Sequence, residues 1–284
     1  MNTSTQLKAL IRNISKDKSV EAEIILRNFM LERLLERISL SKFRDKFILK
    51  GGMLIAAMVG IDTRSTMDMD ATVRGVAFSE EALKKVLDII LVFPVDDGVT
   101  MTLKGFENIR DESEYPGIRV SIEAVLDKTR QIMKVDITTG DMITPKAMEY
   151  SFKLLFEDRT ISILAYNLET VLAEKLETIL SRSTTSTRMR DYYDVYILTT
   201  LREQDINWEL FKMAFMKTAE KRGSYSLLLR NGNENIEEIG KSSILSKLWD
   251  RYQNKNSYAS DLSWGQVLVS VIALYRKSMD ITEA

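Results

Sequence analysis

Two aspartates, Asp68 and Asp70, stand two positions apart in a segment where they alternate with methionine. On a β-strand, residues two apart point to the same face, with their Cα atoms about 6.6 Å apart. Two adjacent carboxylates repel each other and are costly unless a cation lies between them. A hard divalent metal ion is the natural occupant, and triphosphate oxygens would complete its ligand shell. The competing interpretation is a pair of solvated acids on an edge strand.

A glycine pair, Gly51-Gly52, lies upstream, where a short strand is predicted to enter a helix. Glycine permits close approach of the backbone, and a helix N-terminus offers free N–H groups to a phosphate. A tight turn is the alternative. Downstream, Asp136 interrupts an alternating strand and lies on its open face. A third carboxylate there would suit two-metal phosphoryl chemistry, by holding the metals or activating the attacking hydroxyl. An ordinary exposed strand acid remains the alternative.

Lys175 occupies an unusual place on a predicted helix. Helical residues advance by roughly 100° each, so Lys175 falls within the apolar stripe formed by Leu168, Leu172 and Ile179. A lysine rarely lies in the middle of an apolar face without a partner. It could extend to solvent, pair with a structural acid, or project into a cleft and neutralise phosphate. In a cleft, we expect Lys175→Met to keep the fold.

Asp191 and Asp194 are three residues apart and therefore share one face of a helix. Acids on the core-facing stripe require a cation, and Lys175, Arg188 and Arg190 are candidates. Both a buried ion pair between two helices and a direct catalytic role fit this pattern. The segment 181–190, between the two helices, has the sequence SRSTTSTRMR. It is either a phosphate-contacting loop or a polar linker.

The composition limits which chemistry is available. The chain has 284 residues and contains neither histidine nor cysteine, which excludes Ser-His-Asp and Cys-His nucleophiles, zinc held by those residues, and disulfides. Catalysis must therefore use carboxylates, lysine, hydroxyls or an oxygen-ligated metal such as magnesium. The net charge of −1 still permits a local basic patch. No apolar run approaches the ~20 residues of a membrane span, and the N-terminus lacks a secretory signal, so we expect a cytoplasmic protein with no membrane partner.

The elements that must position these residues divide into two halves. The first half reads as mixed α/β, and the second as helices with few glycines and no proline after Pro145. We therefore predict an α+β fold with a mixed sheet and flanking helices, followed by a helical C-terminal domain. The domains are placed at 1–155 and 156–284, the second contributing Lys175 and Asp191 to a shared cleft. The predicted helices are 24–38, 53–58, 80–91, 168–181, 190–201, 208–220, 244–252 and 264–275. The predicted strands are 47–50, 66–73, 118–126 and 132–138.

Five motifs follow one another along the chain: Lys50-Gly51-Gly52, Arg64-x-Thr66-x-Asp68-x-Asp70, Asp136, Glu174-Lys175-Leu176 and Arg190-Asp191-x-x-Asp194. Taken in order, these motifs resemble the AbiEii/AbiGii toxin family of nucleotidyltransferases, which are relatives of the DNA polymerase β fold. The resemblance covers roughly residues 45–200. The family usually presents Ser or Thr before the paired acids, and Thr66 fills that place. The helices after about residue 205 carry no motif that aligns.

The resemblance implies a nucleotidyltransferase-type sheet and a toxin that uses a nucleoside triphosphate with Mg²⁺ and is held in check by a cognate antitoxin protein. Some relatives add nucleotides to the 3′ end of tRNA and block translation, so we expect an RNA acceptor, the 3′ end of tRNA, near Arg182, Arg188 and Arg190.

The resemblance also implies a role for each site residue. Asp68, Asp70 and Asp136 would be the metal ligands, with Asp136 bracing the metals or the attacking hydroxyl. Lys175 would neutralise charge as pyrophosphate leaves, and Asp191 would complete the site. The nucleotide would be held by Gly51, Gly52, Arg64, Thr66 and Lys175.

Two other classes of function remain open. A metal-dependent nuclease or phosphohydrolase would use the same acids with water as the nucleophile, and release of pyrophosphate would distinguish it. A non-catalytic binding protein would hold its acids in structural pairs and would show no magnesium-dependent nucleotide binding.

Overall fold

The computed structural model describes residues 3–109 and 116–279 of the chain. Two compact units can be distinguished, one spanning Met1–Asp141 and Ala147–Tyr166 and the other Met142–Lys146 and Asn167–Ala284. The predicted division into functional domains after residue 155 stays a prediction. None of the helices in the described ranges is long and apolar enough to cross a membrane.

The first unit is built on a mixed β-sheet. Within the described residues the sheet has seven strands in the order β3-β4-β5-β2-β1-β7-β6. The pairs β1–β7 and β2–β5 are parallel, and the other neighbours are antiparallel. The strands are β1 (Phe47–Lys50), β2 (Met69–Val73), β3 (Val99–Ile109), β4 (Gly117–Leu126), β5 (Thr129–Thr139), β6 (Met148–Lys153) and β7 (Thr160–Ala165). The helices are α1 (Ser4–Lys18), α2 (Ala22–Leu40), α3 (Gly51–Val59) and α4 (Glu80–Leu91).

Alternation along the strands creates one apolar face and one polar face. Val120 and Ile122 of β4 and Val135 and Ile137 of β5 are buried. Helix α2 packs against β5 and β7, and α4 packs against β3 and α2. Residues of opposite parity on β2, β4 and β5 lie on the other face of the sheet. The predicted site acids that belong to strands, Asp70 and Asp136, lie on that polar face.

Helix α2 buries charges that its periodicity places away from its apolar side. Arg37 donates to both carboxylate oxygens of Asp97, at 2.6 and 3.0 Å, and to the carbonyl oxygen of Val99. Arg33 donates to Glu157 at 2.7 Å. Because these ion pairs offset the charges of both guanidinium groups, α2 can be enclosed by protein on more than its apolar side.

The second unit is helical. Asn167, Asn207, Ser242 and Ser263 each accept a backbone N–H at the start of a helix, as N-cap residues do. Helix α5 packs against its neighbours α6, α7, α8 and α10. The helices are α5 (Leu168–Arg182), α6 (Met189–Leu201), α7 (Trp208–Lys221), α8 (Tyr225–Lys241), α9 (Ser243–Lys255) and α10 (Trp264–Ser278).

The α+β fold class with a mixed sheet and a helical C-terminal region is confirmed. Helix α8 was not predicted because it contains Gly232, Gly240 and several asparagines, which disfavour helices. Tertiary packing overrides that preference: a Cβ atom at Gly232 would lie 2.5 Å from the hydroxyl of Tyr275, so the glycine leaves room for that side chain of α10. Three strands, β3, β6 and β7, and helix α1 were also missed.

Candidate active site

Four charged residues lie in register across the polar face of the sheet. Asp70 of β2 pairs with Lys50 of β1 on one side and with Asp136 of β5 on the other. Asp136 in turn pairs with Arg119 of β4. Residues in register on neighbouring strands point to the same face. We call this set, Lys50, Asp70, Asp136 and Arg119, the charged row; its two acids are flanked by two cations.

The glycine pair packs directly against the predicted site residues. Gly51 begins α3 with a φ of +65°, and a Cβ atom at this position would lie 2.1 Å from Oδ2 of Asp70. A Cβ atom at Gly52 would lie 2.7 Å from Oγ1 of Thr66 and 3.2 Å from a guanidinium nitrogen of Arg64. The structure therefore brings Gly51, Gly52, Arg64, Thr66 and Asp70 together at the N-terminus of α3.

The loop that leads into β2 is held in place by hydrogen bonds. Asn28 of α2 donates to the carbonyl oxygen of Thr66 at 2.8 Å, and the Thr66 hydroxyl donates to the carbonyl oxygen of Asp68 at 3.2 Å. Strand β2 begins at Met69, so Asp68 lies just before the strand. The alternating pattern had predicted that Asp68 lies within it. The side-chain bond of Thr66 takes the place of strand pairing there. The pKa of Arg119 is raised mainly by its hydrogen bond to Asp136, and the charge of Asp68 adds to that shift.

Asp136 has a partner that was not predicted. Arg119 donates from Nε to Oδ1 and from Nη2 to Oδ2, both at 2.7 Å. This is a bidentate, charge-assisted pair, and it raises the pKa of Arg119 further above its ordinary value. Among the residues that the structure describes, no three acidic side chains come together as a metal-holding group. As hard oxygen donors, Asp68 and Asp70 fit a divalent ion. Asp136 as a third ligand stays a prediction, since Arg119 engages both of its oxygens.

Lys50 belongs to a second network that the sequence analysis did not find. Its ammonium group pairs with Oδ2 of Asp141, whose side chain is buried, and lies 5.7 Å from the ring centroid of Tyr166. Asp141 also accepts from the hydroxyls of Tyr166 at 2.6 Å and Thr138 at 2.9 Å. Burial opposes ionisation of Asp141, but these partners outweigh it and lower the pKa. Lys50 could have been suspected as a site residue from its place beside Gly51. Nothing in the sequence around Asp141 marks it as a partner of Lys50.

In the second unit, Lys175 forms the ion pairs that one interpretation of its position required. Its Nζ lies 2.5 Å from Oδ1 of Asp191 and 2.9 Å from Oδ2 of Asp194. The Lys175 side chain is 15% exposed, and the two carboxylates are 3% and 0% exposed. Arg188 adds a contact of 2.8 Å to Oδ2 of Asp191. The two Lys175 pairs connect α5 to α6.

The charges in this cluster adjust one another. Burial by itself would lower the pKa of Lys175, but the two carboxylates outweigh it and raise the pKa. Burial would likewise raise the pKa of Asp191, but Lys175 and Arg188 lower it to about 2. Lys175 and Asp191 are therefore both charged at neutral pH. The expectation that Lys175→Met keeps the fold must be revised, because the substitution would leave two buried carboxylates without their main cation.

The loop within the segment 181–190 is shorter than predicted. Helix α5 extends to Arg182, a 3₁₀ turn covers Ser183–Thr185, and α6 begins at Met189. Arg188 is engaged by Asp191. The predicted participation of Lys175 and Asp191 in one cleft with the acids of the first unit stays a prediction.

Comparison with known proteins places this chain in a family. Among solved structures, an H. pylori protein described as a candidate nucleotidyltransferase aligns with a TM-score of 0.50 and 13% identity, over 93% of this chain and 100% of that one. JHP933 from Helicobacter pylori aligns with a TM-score of 0.49 and 14% identity, over 92% of this chain and 95% of that one. No curated protein matches the sequence. The first of these alignments supports a shared fold.

The family model for the nucleotidyl transferase AbiEii toxin, of type IV toxin–antitoxin systems, matches residues 33–270. That span includes every site residue predicted from the sequence as well as helices α7 to α9, which carried no recognisable motif. The resemblance drawn from the ordered motifs is thereby confirmed, and the chain belongs to the AbiEii family of nucleotidyl transferase toxins.

Proposed function

We propose that this protein is a magnesium-dependent nucleotidyltransferase that moves a nucleoside monophosphate from a nucleoside triphosphate to the 3′ end of tRNA, and so arrests translation and growth. The observation that carries the proposal is the packing of Asp70 against Gly51 at the start of α3. It puts a carboxylate suited to a metal ion beside the free N–H groups of a helix N-terminus, which favour phosphate. Family membership adds an antitoxin partner and a triphosphate substrate.

In the proposed reaction, the 3′ hydroxyl of the acceptor forms a bond to the α-phosphorus of the triphosphate. The bond between the α- and β-phosphates breaks, and pyrophosphate leaves. A bound divalent ion would neutralise charge on the triphosphate oxygens. Asp68 and Asp70 would hold that ion, and Gly51, Gly52, Arg64 and Thr66 would surround the phosphates.

The remaining residues act on the hydroxyl and the leaving group. Asp136 would help to hold the ion with one oxygen and activate the attacking hydroxyl with the other, accepting its proton. Lys175, oriented by Asp191, would offset the charge on the departing pyrophosphate. The acceptor RNA would be bound through Arg182, Arg188 and Arg190. Because the whole chain carries a net charge of only −1, binding would rely on this local group of arginines. Contacts between arginine and phosphate weaken steeply with added salt, and RNA binding should do the same.

The test is incubation of the protein with total RNA, Mg²⁺ and each α-labelled nucleoside triphosphate in turn. We expect a single labelled band of tRNA size together with released pyrophosphate. The band should disappear when periodate first destroys the 3′ terminal diol, and when EDTA removes the metal. Cleaved RNA or release of free phosphate without label transfer would instead support the nuclease or phosphohydrolase class. Label in protein, with none in RNA, would contradict the proposed acceptor.

Gly51→Ala should impair transfer by displacing Asp70. Alanine at a φ of +65° is strained by about 1–2 kcal/mol, and its Cβ atom would overlap the Asp70 carboxylate. A shift of about 1 Å in a reacting group costs on the order of 10²-fold in rate, which is the loss we expect. Rates of label transfer and the melting temperature would be measured together.

Gly223→Ala is the matched control for this variant. Gly223 has a similar φ of +72°, but no atom lies within 4 Å of the position of its Cβ. It should lose comparable stability and keep its transfer rate. Equal rates for Gly51→Ala and the wild type would show that the position of Asp70 does not matter for the reaction.

A further inference from the structure

Arg119 is placed to control whether Asp136 can bind a metal ion. A bidentate guanidinium uses both oxygens of a carboxylate, and in this structure Arg119 makes both contacts at 2.7 Å. The pair is partly shielded, with Arg119 31% exposed and Asp136 18% exposed. Asp136 lies beside Asp70 in the charged row, so any ion shared by these acids would have to approach a carboxylate that already has a cation.

The pair is not needed to hold its two strands together. Strands β4 and β5 are in continuous register from Gly117↔Thr138 to Leu126↔Thr129. A second ion pair, Arg130 with Glu123, joins the same two strands on the same face near the other end of the hairpin. In that pair the Arg130 side chain is 68% exposed, and its Nη1 lies 2.9 Å from one carboxylate oxygen of Glu123. Arg119 differs from Arg130 because it contacts both oxygens of its carboxylate and lies closer to the paired acids.

The charges of the charged row explain why a cation such as Arg119 lies beside Asp136. Asp70 and Asp136 are adjacent in register, and two adjacent carboxylates repel each other without a cation. Lys50 and Arg119 flank them on either side. When a divalent ion enters, the ion and the guanidinium compete for the same oxygen lone pairs of Asp136.

We propose that Arg119 is an internal counter-ion that a divalent metal ion must displace from Asp136, so that Arg119 sets the metal affinity of the site. This inference rests on the proposed function, because it concerns the same acids. Arg119 is a positioning residue in this scheme: it acts on the metal through Asp136. Its removal should therefore tighten metal binding, and it should do so only while residue 136 is an aspartate.

The experiment is a double-mutant cycle in metal affinity. Calorimetry would measure Mn²⁺ binding to the nucleotide-free full-length protein for the wild type, Arg119→Gln, Asp136→Asn and the double variant. We expect Arg119→Gln to bind Mn²⁺ at least about tenfold more tightly than the wild type. In the Asp136→Asn background the same change should have little effect, because the competition has been removed. Arg119→Lys keeps the positive charge but loses the planar group that contacts both carboxylate oxygens. Its Mn²⁺ affinity should therefore lie between those of the wild type and Arg119→Gln.

Arg130→Gln is the charge-matched control, since it removes one positive charge from the same hairpin at a distance from the acids. Its Mn²⁺ affinity should equal that of the wild type. A gain for Arg119→Gln that persists in the Asp136→Asn background would reduce the effect to general electrostatics and overturn the proposal. Unchanged or weaker binding by Arg119→Gln, or a failure of both Arg119 variants to fold, would overturn it as well.

The same measurements separate this inference from the proposed function. If the wild type transfers nucleotide to RNA and the cycle shows no coupling, only the role of Arg119 is wrong. If no variant binds Mn²⁺ and the wild type transfers no label, both proposals fail together.

Discussion

Asp70→Asn should abolish nucleotidyl transfer while leaving a folded protein. Asparagine keeps the size of the side chain that packs against Gly51 and removes the charge that would hold the metal ion. Charge stabilisation by a bound metal contributes several kcal/mol to such a reaction, and about 4 kcal/mol corresponds to roughly a 10³-fold loss of rate. The loss would be measured as label transferred to RNA at saturating triphosphate, with circular dichroism and melting temperature as checks on the fold.

Toxicity should follow the same residue, because the proposed harm comes from chemistry. Expression of the wild type should arrest growth, and expression of Asp70→Asn to the same level should not. Asp88→Asn is a matched control: Asp88 lies on α4, is half exposed and pairs with Lys84 one helical turn away. It should remain toxic and active. An Asp70→Asn protein that is equally toxic would point to a toxin that acts by binding.

The local features of this fold were accessible from sequence because short-range physics determines them. Ser79, an N-cap residue type directly before the predicted helix 80–91, accepts the N–H of Ala82 at the start of α4. Strands β4 and β5 follow their alternating patterns, with Val120 and Val135 buried. The proximity of Gly51 to Asp70 was implied only through an ordered set of motifs, since no single one of them specifies a contact.

Partners set by strand register were not accessible. Arg119 and Asp136 are separated by a hairpin turn, and which residues oppose each other depends on the length and geometry of that turn. Asp141 follows the end of β5, and its contact with Lys50 requires β1, β2 and β5 to be in place. Lys175 is an intermediate case: its position in an apolar stripe indicated a partner, and Asp191 and Asp194 were among the candidates, but the choice between ion pair and open cleft needed coordinates.

Lys175→Met should cost both stability and activity. Removing one partner from a buried ion cluster typically destabilises a protein by about 3–5 kcal/mol, since uncompensated charge stays buried. Arg188 remains beside Asp191, so we expect a loss near the lower end of that range. Chemical denaturation at pH 7 would measure the loss. Lys241→Met serves as the control, because Lys241 forms an exposed pair with Glu237 on α8, and such surface pairs contribute at most about 1 kcal/mol.

The pH dependence of this loss distinguishes the ion cluster from simple loss of packing. In the wild type the pKa of Asp191 is lowered to about 2 from its ordinary 3.8. Stability from this group is therefore complete above about pH 4 and disappears as the pH falls towards 2, a total of about 2 kcal/mol. In Lys175→Met, Asp191 has lost its main cation while its burial still raises the pKa, so the folded variant gains stability as this carboxylate takes up a proton.

The difference in stability between the wild type and Lys175→Met should therefore shrink as the pH falls from 7 to 4. Replacing both acids in the variant, as Lys175→Met with Asp191→Asn and Asp194→Asn, should recover much of the stability at pH 7, because no buried carboxylate is left uncompensated. It should not recover transfer, since the cation proposed to face the leaving pyrophosphate is still absent. A stabilised triple variant that also regained wild-type transfer would assign Lys175 a purely structural role, and a stability difference independent of pH would show that the ion pairs do not account for its effect.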